Sequence, residues 1–141
     1  MSESVKHVGL WLIAEDETDI RNLVQMMFTV WGHQTMVFEN GQKVWNWLDA
    51  LDAGTYDGPL PEMAVMDIRM PGKRGDELAR RMGATAALRH MPIVLMTAYA
   101  LSEDQEAEIC ASGADYIIHK PLPDFERFHA ILNDVLYSKH R

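Results

Sequence analysis

The chain has 141 residues, the length of one ordinary domain, with 13 Lys plus Arg against 21 Asp plus Glu and a formal net charge of −8. No basic stripe interrupts that balance, which argues against direct nucleic-acid binding. A single cysteine, Cys110, excludes an internal disulfide and a cysteine metal cage, and the six histidines lack the i, i+4 spacing of a zinc-binding helix.

In chain order, "LWLIA" (10 to 14) is the first short apolar run, and it stops at Glu15 and Asp16. That run is far too short for a signal segment or a membrane span, so the expectation is a cytoplasmic protein with no membrane contact. Ile20, Leu23, Val24 and Met27 then follow the i, i+3, i+4, i+7 spacing of one buried helical face, with Gly32 as the stop. "TMVF" (35 to 38) has polar flanks and suits an edge strand. Val44, Leu48 and Leu51 mark a second helix, in which Trp45 and Trp47 read as packing residues. "DAGTYDGPLP" (52 to 61) reads as a surface loop, since its Gly and Pro content forbids either periodicity.

"MAVM" (63 to 66) is the next apolar run, and Asp67 ends it before the turn residues Pro71 and Gly72. A third helix starts near Asp76 with Leu78, Ala79 and Met82 inward. "IVLM" (93 to 96) leads to Thr97, and the fourth helix opens with Ser102 and Gln105 at capping-box spacing. The body of that helix, "EDQEAEI", offers little apolar surface, which predicts weak anchoring. "YII" (116 to 118) leads to Lys120, and a last helix from near Pro123 carries Phe125, Phe128, Leu132 and Val135 on one face.

Runs that are continuously apolar suit strands buried on both faces of a parallel sheet. Five strands alternating with helices predict an α/β, doubly wound parallel sheet with helices on both faces. In such sheets the chemistry lies beyond the C-terminal strand ends. Glu15, Asp16, Asp67, Thr97 and Lys120 should therefore converge there. Three carboxylates in one place repel unless a cation joins them, and oxygen ligands alone suit a hard ion such as Mg²⁺. With a lysine and a hydroxyl added, the set can cradle a transferring phosphoryl group.

Four segments, "IAEDE", "VMDIRMPG", "IVLMTAY" and "GADYIIHKP", in this order and at these strand ends, resemble the receiver domains of two-component response regulators, the CheY-like family. The resemblance covers roughly residues 8 to 137. It implies a flavodoxin-like sheet of order 2-1-3-4-5 and a single receiver domain over 1–141, with one helix after Pro121 and no separate output domain. It also implies that Asp67 accepts a phosphoryl group from a histidine kinase or phosphotransfer protein. Asp16, Asp67 and the backbone carbonyl of Arg69 would bind Mg²⁺, with Glu15 helping through water. Thr97 and Lys120 would contact the phosphoryl oxygens, and the Lys120–Pro121 bond would be cis.

Such a protein is a signalling switch that catalyses only its own phosphorylation and dephosphorylation. Its output passes to an unidentified protein target, with a homodimer through the fourth helix, fifth strand and last helix left open. Arg69 and Tyr99, two residues after Asp67 and Thr97, stand where receivers modulate the phosphoryl lifetime. Three features depart from the family pattern: Glu15 where Asp is commonest, a long loop at 52 to 61, and Ile117 in place of the switch aromatic that accompanies the threonine. By strand alternation Tyr116 should face away from Ile117.

Three rival interpretations are weaker. A haloacid-dehalogenase-type phosphatase needs a second acid where Arg69 stands, and a nucleotide-binding Rossmann domain needs a glycine-rich turn that "AEDETDI" lacks. A phosphorylation-independent binding module of receiver shape is expected to lack an acceptor, a metal ligand or the lysine, and all are present.

Overall fold

The computed structural model describes residues 9–139; Val8, at the start of the expected core, and His7 and His140 lie outside them. The elements are β1 (Leu10–Ala14), α1 (Thr18–Val30), β2 (Gln34–Phe38), α2 (Gly41–Ala53), β3 (Met63–Asp67), α3 (Gly75–Ala84), β4 (Ile93–Thr97), α4 (Glu103–Ala111), β5 (Tyr116–His119) and α5 (Phe125–Lys139). All strand pairs are parallel and the order is β2-β1-β3-β4-β5. The chain thus winds outward in both directions from β1 and β3, which puts the topological switch point at Asp16 and Asp67. No helix among the described residues is long and apolar enough to cross a membrane.

Strand alternation divides the core in two. Leu12, Ala14, Ala64, Met66 and Leu95 face the layer of α2, α3 and α4, where Val44, Leu48, Leu78 and Met82 meet them. Trp11, Ile13, Val65, Val94 and Met96 face the opposite layer, with Val24 and Phe28 of α1 and Phe128 and Leu132 of α5. Every residue of β3 and β4 is buried, as continuous apolar runs require, whereas β2 is an edge with partly exposed residues. Ile117 packs on the α2–α4 side and Tyr116 is exposed, as the alternation requires.

Three expectations need correction. On α1 the buried residues are Val24, Met27 and Phe28, while Leu23 is 44% exposed. Successive residues are turned by about 100° on a helix, so a stripe centred on Val24 and Phe28 leaves Leu23 on its rim. On α5, Phe128, Leu132 and Val135 are buried but Phe125 is 43% exposed and leans on Trp31, 5.2 Å between ring centroids. Finally, α2 continues through Asp52 and Ala53, and the loop begins at Gly54, whose left-handed φ of 73° ends the helix. A short 3-10 turn at Ala86–Leu88 has too few residues to show a period.

The fourth helix has the expected capping box: Ser102 Oγ accepts from the Gln105 N–H at 3.1 Å, and Gln105 Oε1 accepts from the Ser102 N–H at 2.8 Å. Of its nine residues only Ile109 is buried, and Cys110 is an exposed free thiol.

Candidate functional site

The parallel sheet brings one edge of four strands together, and each strand delivers one group as it ends. Asp67 and Thr97 are the last residues of β3 and β4, Glu15 and Asp16 directly follow β1, and Lys120 follows β5. Register holds these ends level: the Ile68 N–H donates to the Met96 carbonyl at 2.9 Å and the Lys120 N–H to the Thr97 carbonyl at 2.7 Å. The Lys120–Pro121 peptide bond is cis.

At the centre, Lys120 Nζ lies 2.9 Å from Glu15 Oε1 and 3.4 Å from Asp67 Oδ1. Glu15 is fully buried and Asp67 is 7% exposed. Single carboxylate oxygens of Glu15, Asp16 and Asp67 lie within 4.8 Å of one another. Burial raises the Asp67 carboxyl to about 6, with the charge of Glu15 adding to the rise and Lys120 opposing it. Burial also works against the Lys120 charge, but its hydrogen bond to Glu15 and the charges of Asp67 and Glu15 outweigh this and hold it above the usual lysine value. Ionising Asp67 is thus harder here than in water even with the lysine present. The three carboxylates, Asp67 included, offer only oxygen ligands, which suit a hard divalent cation, and magnesium fits this set.

The mouth is a cavity of about 300 Å³ whose lining includes Asp16, Asp67, Arg69, Thr97 and Tyr99. Thr97 Oγ1 accepts from the Tyr99 N–H at 3.1 Å, so the hydroxyl oxygen is tied to the loop that follows β4. Across the mouth, the Arg69 guanidinium lies over the Tyr99 ring, 4.1 Å from its centroid. Ile117 stays outside this cavity, packed on the core below.

Two supporting residues escaped the sequence reading. Arg21 donates from Nη1 to the carbonyls of Glu15 at 3.0 Å and Asp16 at 3.3 Å, tying α1 to the acidic turn. The only available signal was its position in the first turn of a helix that starts directly after those acids. Glu17 Oε1 is 3.9 Å from Lys120 Nζ, and the Glu17 N–H donates to Glu15 Oε2 at 3.1 Å. Glu15 itself was expected to act through water, and its carboxylate also pairs directly with Lys120.

With this geometry in place, the comparisons with known proteins are consistent with it. A family model, the response regulator receiver domain, matches residues 11–133. The polar-differentiation response regulator DivK of Brucella anthropi is 30% identical over 111 residues, which span 79% of this chain and 83% of that protein. The receiver domain of the sensor histidine kinase PA1611 of Pseudomonas aeruginosa, solved with a magnesium ion coordinated in its active site cleft, shares the fold. Its TM-score is 0.75 at 21% identity, covering 93% of this chain and 99% of that one. Chemotaxis response regulator CheY4 of Vibrio cholerae shares it equally, with a TM-score of 0.75 at 21% identity over 92% of this chain and 99% of that one. The chain belongs to the response regulator receiver domain family of two-component signalling.

Proposed function

We propose that Asp67 accepts a phosphoryl group from a phosphohistidine of a histidine kinase or phosphotransfer protein, in a magnesium-dependent reaction in the cytoplasm. An Asp67 oxygen attacks phosphorus, the P–N bond breaks, and the electron pair leaves with the imidazole nitrogen, which takes up a proton. Asp16, Asp67 and the Arg69 carbonyl, with Glu15 acting through water, would hold a magnesium ion, which would supply charge neutralisation at the phosphoryl oxygens. Lys120 contributes its ammonium charge to the same oxygens and Thr97 its hydroxyl proton. The chain catalyses its own phosphorylation and dephosphorylation and no other reaction.

One observation carries this proposal: a nearly buried carboxylate at a strand end, 3.4 Å from a lysine and clustered with two further acids. Phosphorylation adds charge and acceptor oxygens, which draw Thr97 and the loop after β4. The output is a changed contact with a protein target, or with a second copy, through α4, β5 and α5.

The test is incubation with a small phosphodonor and Mg²⁺. The expected product is a single acid-stable, hydroxylamine-labile acyl phosphate, absent in Asp67→Asn and after chelation of Mg²⁺. Equal labelling of Asp67→Asn would refute the assignment.

A further inference from the structure

The loop between β3 and α3 carries Arg69, whose carbonyl the proposed function uses as a metal ligand. Backbone contacts hold this loop against α2. The Gly41 N–H donates to the Pro71 carbonyl at 3.1 Å, and a Cβ on Gly41 would stand 1.9 Å from the Lys73 carbonyl oxygen. Gly72, at φ +87°, lies so close that a Cβ there would meet Gln42 Cβ at 2.6 Å. Only residues without side chains allow this approach.

A side-chain fastening lies beside them. Lys73 Nζ sits 4.4 Å from the Trp45 ring centroid, and Arg81 Cζ of α3 sits 4.2 Å from it. Arg81 is itself held by Asp49 at 2.8 Å and Asp52 at 2.9 Å, both on α2. Trp45 therefore joins α2 to the loop through Lys73 and to α3 through Arg81. Unlike Trp47, which is buried among core residues, Trp45 is half-buried and meets cations.

We propose that Trp45 is a positioning residue for the metal site: with Lys73 and Arg81 it fixes the β3–α3 loop on α2 and presets the Arg69 carbonyl for a divalent cation shared with Asp16 and Asp67. This rests on the magnesium-dependent reading above. Magnesium demands near-ideal geometry, so a backbone ligand on a drifting loop binds it poorly, and groups that orient ligands govern metal affinity. An indole that only packs α2 contributes to stability and leaves affinity unchanged.

Calorimetric titration of the full chain with MgCl₂ separates the two. Trp45→Ala is expected to weaken Mg²⁺ binding about two- to fivefold, the factor corresponding to the one cation–π contact, with Lys73, that reaches the loop. Trp45→Phe keeps an aromatic face and is expected to recover most of the affinity. Gly41→Ala pushes on the Lys73 carbonyl from the helix side and is expected to weaken binding as well. Leu51→Ala, on α2 and packed on the same core cluster as Trp45 but outside the cation contacts, is expected to lower Tm and leave Mg²⁺ affinity alone. Wild-type affinity in Trp45→Ala, or affinity that falls with Tm equally in Trp45→Ala and Leu51→Ala, would overturn the inference while leaving the metal site standing. Absence of Mg²⁺ binding by the wild type, or undiminished binding by Asp16→Asn, would instead remove the metal reading and the inference with it.

Discussion

On one side of Asp67 the chain runs from β3 into α3, which buries Gly75, Leu78, Ala79 and Met82, and on the other it runs from β4 into α4, which buries Ile109 alone. The β3–α3 loop is also closed by the Gly75 N–H donating to the Ile68 carbonyl at 2.8 Å, at a glycine whose Cβ would stand 2.4 Å from the Asp67 carbonyl. The β4–α4 loop has the Tyr99–Thr97 bond and a capping box. A fully buried Leu or Ile stabilises by about 1.5–3 kcal/mol, so the first flank is anchored several times over and the second barely once. The stiff flank holds Asp67 still. The loose flank can change shape at small cost.

The largest expected effect separates the flanks directly. Leu78→Ala is expected to lower the unfolding free energy by about 2–4 kcal/mol in urea titrations, since the side chain is wholly enclosed. Ile109→Ala is expected to cost less, about 1–2 kcal/mol, because a helix held at one point can settle into the space. Hydrogen exchange should speed across Glu103–Ala111 in Ile109→Ala and leave the sheet amides unchanged. Faster exchange throughout the sheet would mean that α4 is part of the cooperative core.

The next effect tests the charge stored on the stiff side. Native Asp67 titrates at about 6, above its unfolded value near 3.9, so between these values the folded state holds a proton that the unfolded state has released. Stability from this group therefore falls as pH rises through that window. Without Mg²⁺ at pH 7.5, Asp67→Asn is expected to gain about 1–3 kcal/mol over wild type, and the gain should vanish below about pH 4. A gain that persists at pH 4 would point to a cause other than ionisation.

The strand ends could be read in the sequence because continuous apolar runs stop where Glu15, Asp67 and Lys120 or their neighbours begin, and parallel topology then leaves one place for them to meet. Ile117 and Tyr116 followed from alternation alone. The rim positions Leu23 and Phe125 did not, because periodicity finds a stripe without fixing which of its edges a flat sheet covers. The Arg69–Tyr99 and Lys73–Trp45 contacts were also invisible, since each joins a loop to a residue tens of positions away, or to another element, through shapes that glycines set.

A third experiment asks whether the loose flank receives the signal through Thr97. Because Ile117 has no ring to turn into space left by Thr97, the change is expected to travel through Ala98–Leu101 into α4. With beryllofluoride as phosphoryl mimic, wild type and Ile117→Ala should both show altered exchange across residues 98–111, and Thr97→Ala should show none. Loss of the response in Ile117→Ala as complete as in Thr97→Ala would rule out the loop route.

The smallest expected effect concerns a contact that joins the two flanking loops, the Arg69 guanidinium over the Tyr99 ring. Both side chains line the cavity beside Asp67, and on the proposed function they are expected to restrict the in-line approach of water to an acyl phosphate. Alanine at both positions keeps the Arg69 backbone carbonyl and opens the cavity. Dephosphorylation is expected to speed by about two- to fivefold, the factor corresponding to a cation–π contact of about 0.5–1 kcal/mol. The single variants should each give most of that factor, since either one breaks the stack. Exchange should rise at Ala98–Leu101, whose anchor is lost, and not at residues 70–74, which α2 still holds. An unchanged or slower dephosphorylation rate would show that the pair does not shield the phosphoryl group, and equal loosening of both loops would show that the stack, rather than α2, fixes the β3 side.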